Sequence, residues 1–193
     1  MRYLCFLLFC SCSIFKTYDV SRDLSASASK VCLTSAGKGR LAVGDKKYIF
    51  SYESALDKEA ANWKLALDFP LQKTELFELD WSENEKVQFT SSIDDKILKE
   101  NSKINPQALE TFTSSIGKLI QQIISVEDKG MKNLNYFSWE STQKTLVATN
   151  KDNFKAKFTN MTGNQYFGLM QISYVNSNNQ NFRMDLVVKE CFL

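Results

Sequence analysis

Three stretches in the first half of the chain carry a large apolar side chain at every second position. They are Tyr48, Phe50 and Tyr52; then Trp63, Leu65, Leu67 and Phe69; then Phe77, Leu79 and Trp81. The positions between include Ser51, Lys64, Asp68, Glu78 and Asp80. Successive strand residues point to opposite faces, so this period of two describes strands covered on one face and wet on the other. The connections between them are hairpin-like. Gly44-Asp45-Lys46-Lys47 separates Leu41–Val43 from Tyr48–Tyr52, and Pro70 ends the Trp63–Phe69 stretch by removing a ladder donor. The next strand starts near Thr74, and Val87, Phe89 and Ser91 begin another.

The period then changes once. Asn105 suits an N-cap and Pro106 the first helical position. Leu109, Phe112, Ile116, Leu119, Ile120, Ile123 and Ile124 follow at spacings of three and four, the stripe of an amphipathic helix. Gly117 lowers helix propensity but permits close packing against a sheet. Strands resume at Phe137 and Trp139, Thr145–Ala148, Phe154–Phe158, Tyr166–Val175 and Asn181–Glu190. In the last, Phe182, Met184, Leu186 and Val188 share one face, and Asn176-Ser177-Asn178-Asn179 supplies the preceding turn.

About ten antiparallel strands with a helix inserted after the fifth make a mainly β, α+β domain. Short connections and a single crossover helix favour a strongly curved sheet over a doubly wound fold. Its aromatic face must be covered by the helix, by closure into a barrel, or by a ligand in an apolar cavity. The helix covers only part of it. The candidates for a cavity wall are Phe50, Trp63, Leu65, Leu67, Phe77, Leu79, Phe89, Ile116, Ile120, Tyr166, Met170 and Met184, and each serves equally well as ordinary core. Met161, Met170 and Met184 suit an adaptable wall.

The start of the chain is of another kind. Leu4 to Cys10 is an apolar run after Met1-Arg2-Tyr3, too short for a span of about 20 residues but suited to a secretory signal. Phe9-Cys10-Ser11-Cys12 resembles the bacterial lipoprotein signal, cut before a cysteine that then carries lipid. The expected organisation is a signal peptide over 1–11, lipidated Cys12 with a flexible tether over 12–30, and a folded domain over 31–193. An ordinary signal cut a few residues later is the alternative.

Composition narrows the function. Lys plus Arg number 24 against 22 for Asp plus Glu, a balance that gives no electrostatic case for nucleic acid. The chain contains no histidine, which excludes His-based general-base catalysis and histidine-ligated metals within it. Asp68, Glu78 and Asp80 alternate out of strands without a phosphate loop or nucleophile motif beside them. The chain is therefore expected to be neither an enzyme nor a holder of a metal or cofactor. Cys32 and Cys191 stand at the two ends of the sheet. An oxidising periplasm permits a disulfide between them, clamping the first and last strands if these approach; two separate thiols are the alternative.

Lys38-Gly39-Arg40-Leu41-Ala42-Val43, the aromatic pair Phe50 and Tyr52, and Trp63-Lys64-Leu65-Ala66-Leu67-Asp68-Phe69-Pro70-Leu71 resemble the N-terminal half of the outer-membrane lipoprotein receptor family LolB. Pro70-Leu71 match the family's Gly-Pro-Leu-Gly turn, with Phe69 and Gln72 in place of its glycines. The helix around Leu109–Ile120 falls where the family has one, and Phe182–Val188 resembles its final strand without the usual terminal tryptophan. The carrier family LolA shares the fold. The resemblance implies an incomplete β-barrel closed by helices whose cavity holds lipoprotein acyl chains. It implies a LolA-like periplasmic carrier, acylated lipoprotein cargo and outer-membrane lipids as partners, with the domain lipid-anchored and facing the periplasm. It also implies that Leu71, following Pro70 in a turn, is the protruding leucine that inserts lipoproteins into the membrane. The protein is expected to act as a monomer. A partner-binding or structural lipoprotein with the same fold and no acyl-chain transfer is the competing expectation.

Overall fold

The computed structural model describes residues 27–81, 87–127, 136–142, 144–163 and 165–192. The signal run, Cys12 and residues 13–26 of the tether lie outside the described residues. The first five strands are β1 (Ser35–Val43), β2 (Lys46–Asp57), β3 (Asn62–Asp68), β4 (Glu75–Asp80) and β5 (Gln88–Ser91). Two helices, α1 (Ile93–Glu100) and α2 (Pro106–Glu127), follow. The chain then forms β6 (Ser138–Ser141), β7 (Leu146–Thr149), β8 (Phe154–Thr162), β9 (Tyr166–Val175) and β10 (Asn181–Cys191).

All ten strands belong to one antiparallel sheet in the order β5-β4-β3-β2-β1-β10-β9-β8-β7-β6. The first and last strands are therefore neighbours at the centre, and the sheet is open at β5 and β6. The expected strand number and the helix after the fifth strand are both present. α1 is an addition to that expectation. Only Ile93 and Ile97 of its eight residues are buried, too few to stand out as a stripe.

The sheet's curvature follows from what α2 touches. Ten strands laid flat would span about 43 Å. Yet α2 meets both edges within one short stretch. A Cβ on Gly117 would lie 2.4 Å from the Phe89 ring on β5. Gln122 Oε1 accepts the Phe137 N–H, next to β6, at 3.2 Å. Five residues of helix rise only about 7.5 Å. The two edges must curl toward one another around α2. Gly117 thus does permit close packing, and Asn105 caps the helix, its Oδ1 accepting the Gln107 N–H at 2.9 Å.

The core lies inside this curl. Phe112 of α2 stacks on Phe182 with centroids 5.5 Å apart and meets Phe154 at 6.4 Å. The β10 alternation places Phe182, Met184 and Leu186 inside, as expected. Gly39 of β1 lets the Phe50 ring cross it, since a Cβ there would stand 2.2 Å from that ring.

Cys32 and Cys191 form a disulfide, with Cα atoms 5.8 Å apart and a sequence separation of 159. The pairing of β1 with β10 brings them together, Ser35 standing opposite Cys191. One boundary differs from expectation. Ser27 and Ala28, assigned to the tether, are buried at 8% and 1% exposure. The Phe167 N–H donates to Lys30 O at 2.9 Å. The packed body thus includes residues 27–30, because the curled sheet leaves an end that this segment covers.

Candidate functional site

Two features merit a functional reading: the apolar interior and the turn between β3 and β4. The interior holds a cavity of about 30 Å3. Trp63, Leu65, Ile120 and Met170 line it among the expected residues, together with Tyr52, Phe158, Phe167 and Leu186. Val31, Cys32 and Leu33 from the segment before β1 also form part of the wall. Such a volume accepts one or two waters, whereas a lipid-sized ligand needs on the order of 300 Å3 or more.

The other expected wall residues do not line this cavity. Leu67, Phe77, Leu79, Ile116 and Met184 are fully buried in packed core. Phe50 is buried too and packs at a tilt against Phe69 with centroids 5.3 Å apart. Phe89 and Tyr166 are half-buried, Phe89 lying on Phe77 with centroids 6.0 Å apart. The cause is α2, whose stripe fills most of the concave face. Period-two patterning marks a covered face without saying what covers it. Phe158 and Leu186 stood on recognised strands, but Val31 and Leu33 carried no periodic signal at all.

The turn is built quite differently. The Gln72 N–H donates to Phe69 O at 3.2 Å, closing a four-residue turn with Pro70 and Leu71 at its centre. Pro70 suits the second position because its ring presets φ. Leu71 occupies the third position with φ +59°, a left-handed conformation that favours glycine or asparagine. Its side chain is fully exposed at 106%. The base is closed by Thr74 Oγ1 donating to Asp68 Oδ1 at 2.5 Å. Phe69 is buried against Tyr48 and Phe50. Lys96 of α1 lies 4.0 Å above the Phe69 ring centroid and donates to Gln72 Oε1. A strained, exposed leucine therefore sits on a firmly braced turn. Beside it lies an open hollow of about 360 Å3 whose wall includes Lys38, Ile49, Phe69 and Pro70. Ile49 is 68% exposed, extending the apolar surface onto the outer face of β2.

The charged groups are engaged structurally. Glu78 pairs with Lys64 at 2.8 Å, and Asp68 holds the turn base. Arg40 bonds Asp185 across the outer face at 2.6 Å. Asp185 also accepts from Arg183 Nε at 2.9 Å and Gln171 Nε2 at 3.2 Å. Burial alone would raise the Asp185 carboxyl, but these donors outweigh it and hold it below the ordinary value. Among the described residues, no group of three or more His, Cys, Asp or Glu side chains could hold a metal. No described helix is long and apolar enough to cross a membrane.

No protein-family model matches the chain, and no curated protein does. Among solved structures, the chain is matched to MucB in a crystal structure of MucB in complex with MucA(peri), with 9% sequence identity and a TM-score of 0.36. That match covers 88% of this chain and 54% of the other, so this chain spans about half of MucB's length.

Proposed function

We propose that this protein is a lipid-anchored outer-membrane receptor. It accepts lipoproteins from a LolA-like periplasmic carrier, shelters their acyl chains in the apolar interior, and releases them into the membrane. In this reading the curled sheet is an incomplete barrel of the LolA/LolB kind, with α1 and α2 as its closure. The observation that carries the reading is Leu71. Exposure of a leucine gains nothing for the fold, and a left-handed backbone under a bulky side chain costs roughly 1 kcal/mol or more. Strain of this kind is held in place where a side chain must be presented. A fully exposed apolar tip on a braced turn can enter lipid without first losing conformational freedom, which favours membrane contact.

Leu71→Glu tests this directly. The side chain touches nothing in the core, so folding and uptake of a lipoprotein from a loaded donor should be unchanged. Transfer onward into vesicles should fall at least tenfold, since a carboxylate resists entry into lipid. Undiminished transfer would remove the membrane role from Leu71. Retention of all cargo on a verified cognate donor would remove the receptor reading itself.

The small interior volume favours a second reading, a partner-binding lipoprotein with a permanently filled core. In that case the Leu71 tip and Ile49 would contact a protein, and Leu71→Glu would abolish partner capture while acylated cargo never bound.

A further inference from the structure

We infer that the segment Ser27–Leu33 is a strap that closes the apolar interior and must swing aside for that interior to accept an acyl chain. The inference rests on the receptor reading and assigns a regulatory element to its cavity. The strap is a wall a single chain segment thick. Val31 and Leu33 line the inner cavity of about 30 Å3. The same two residues line an open groove of about 640 Å3 on the other side, along with Ser29, Leu56 and Phe192. Moving Val31 aside, with Leu33 staying in place, joins the two hollows into one of ligand size.

The two ends of the strap are fastened unequally. Its C-terminal end is bolted by the Cys32–Cys191 disulfide, and Trp63 Nε1 donates to Leu33 O at 3.1 Å. Directly beyond, the Phe192 N–H donates to Thr34 O at 2.9 Å. The N-terminal end has no covalent tie of this kind among the described residues. Ser27 Oγ meets Ser141 Oγ at 2.5 Å, Lys30 O accepts the Phe167 N–H, and the methyl of Ala28 fills the core at 1% exposure. A single methyl buries little apolar area, and a hydroxyl pair exchanges readily for water. The disulfide is therefore the hinge and Ser27–Val31 the moving end.

A lock and a release test the inference in the whole chain. Ser27→Cys with Ser141→Cys places two thiols where the hydroxyls already touch, and mass spectrometry of the unreduced protein reports the cross-link. Ala28→Arg puts a long cation where a methyl is enclosed and drives the strap outward. The readout is fluorescence of a dansyl-labelled fatty acid, with Ser27→Cys alone as control. Apparent affinity scales with the fraction of open molecules, so the cross-linked protein should bind about tenfold more weakly than the control, and Ala28→Arg more tightly than the parent. Equal uptake by cross-linked and control proteins would overturn the strap while leaving a lipid-accepting interior intact. No uptake by any of the proteins, the folded lock variant included, would overturn the receptor reading and the strap with it. The lock decides the matter even if Ala28→Arg fails to fold.

Discussion

Two aspartates shift in opposite directions, one governed by burial and the other by its donors, and each predicts its own pH dependence. Asp94 stands between α1 and α2, its Oδ2 accepting from Thr113 Oγ1 at 3.0 Å. Burial pushes its carboxyl up to about 6, opposed by hydrogen bonds from Thr113 and Ser91 and aided by the charges of Asp95 and Glu110. The folded state then holds that proton more tightly than the unfolded chain does, so stability falls as pH rises from about 4 to about 6. Asp94→Asn should remove this slope and raise stability near neutrality by about 1 kcal/mol once solvent screening is allowed for. Asp185 has the reverse sign, since its depressed carboxyl contributes stability above the ordinary aspartate range that is lost as pH falls through its lowered value. Asp185→Asn should cost about 1–2 kcal/mol at neutral pH, with the difference shrinking in acid. Urea denaturation of both variants across that range checks the pair. A shared sign of the two differences would defeat the argument. Neither effect was legible in the sequence, where Asp94 was one acidic residue among many and Asp185 one wet position on an alternating strand.

At the scale of elements, legibility depended on repetition. The long alternating strands and the α2 stripe repeat a signal often enough to be read, and the N-cap at Asn105 marks where the helix begins. α1 repeats it for scarcely two turns. The Leu71 turn was visible as Pro70-Leu71, but the left-handed φ and the Lys96 brace depend on what the turn packs against. Gly117 shows how one element's residue depends on another's position. Alanine there would favour helix by roughly 1 kcal/mol on propensity alone. Its Cβ would instead meet Phe89 at Cδ2 and Cγ, 2.4 and 2.5 Å away, near the ring's point of attachment rather than its free end. Overpacking costs about 1–3 kcal/mol, so Gly117→Ala should be net destabilising by about 1 kcal/mol. Because β5 is an edge strand paired with β4 alone, its amides should lose hydrogen-exchange protection first. A stabilised variant with unchanged β5 protection would show that the sheet edge yields freely.

The whole molecule is joined through its middle, since β1 and β10 are neighbours and the two halves of the sheet extend outward from that pair. Curvature was legible because an aromatic concave face needed covering; the extent of filling was not, because side-chain volumes summed over an unknown curvature leave the remaining space undetermined. The central pairing makes the disulfide a global constraint rather than a local staple. It joins positions separated by 159 in sequence, closing nearly the entire domain into one loop. Chain entropy alone assigns about 5 kcal/mol to such a closure, and measured values commonly fall below that figure. Replacing Cys32 and Cys191 together by serine should therefore lower the denaturation midpoint by an amount equivalent to about 2–4 kcal/mol. The sheet register survives in this prediction, because the backbone ladder from Ala42 to Gly37 against β10 is independent of the sulfur atoms. The strap loses its bolt at the same time. The double serine variant should then bind the dansyl-labelled fatty acid more readily than the parent at temperatures where both remain folded. A large stability loss without altered uptake would place the disulfide in the scaffold alone, whereas altered uptake with little stability loss would make it chiefly the hinge of the strap.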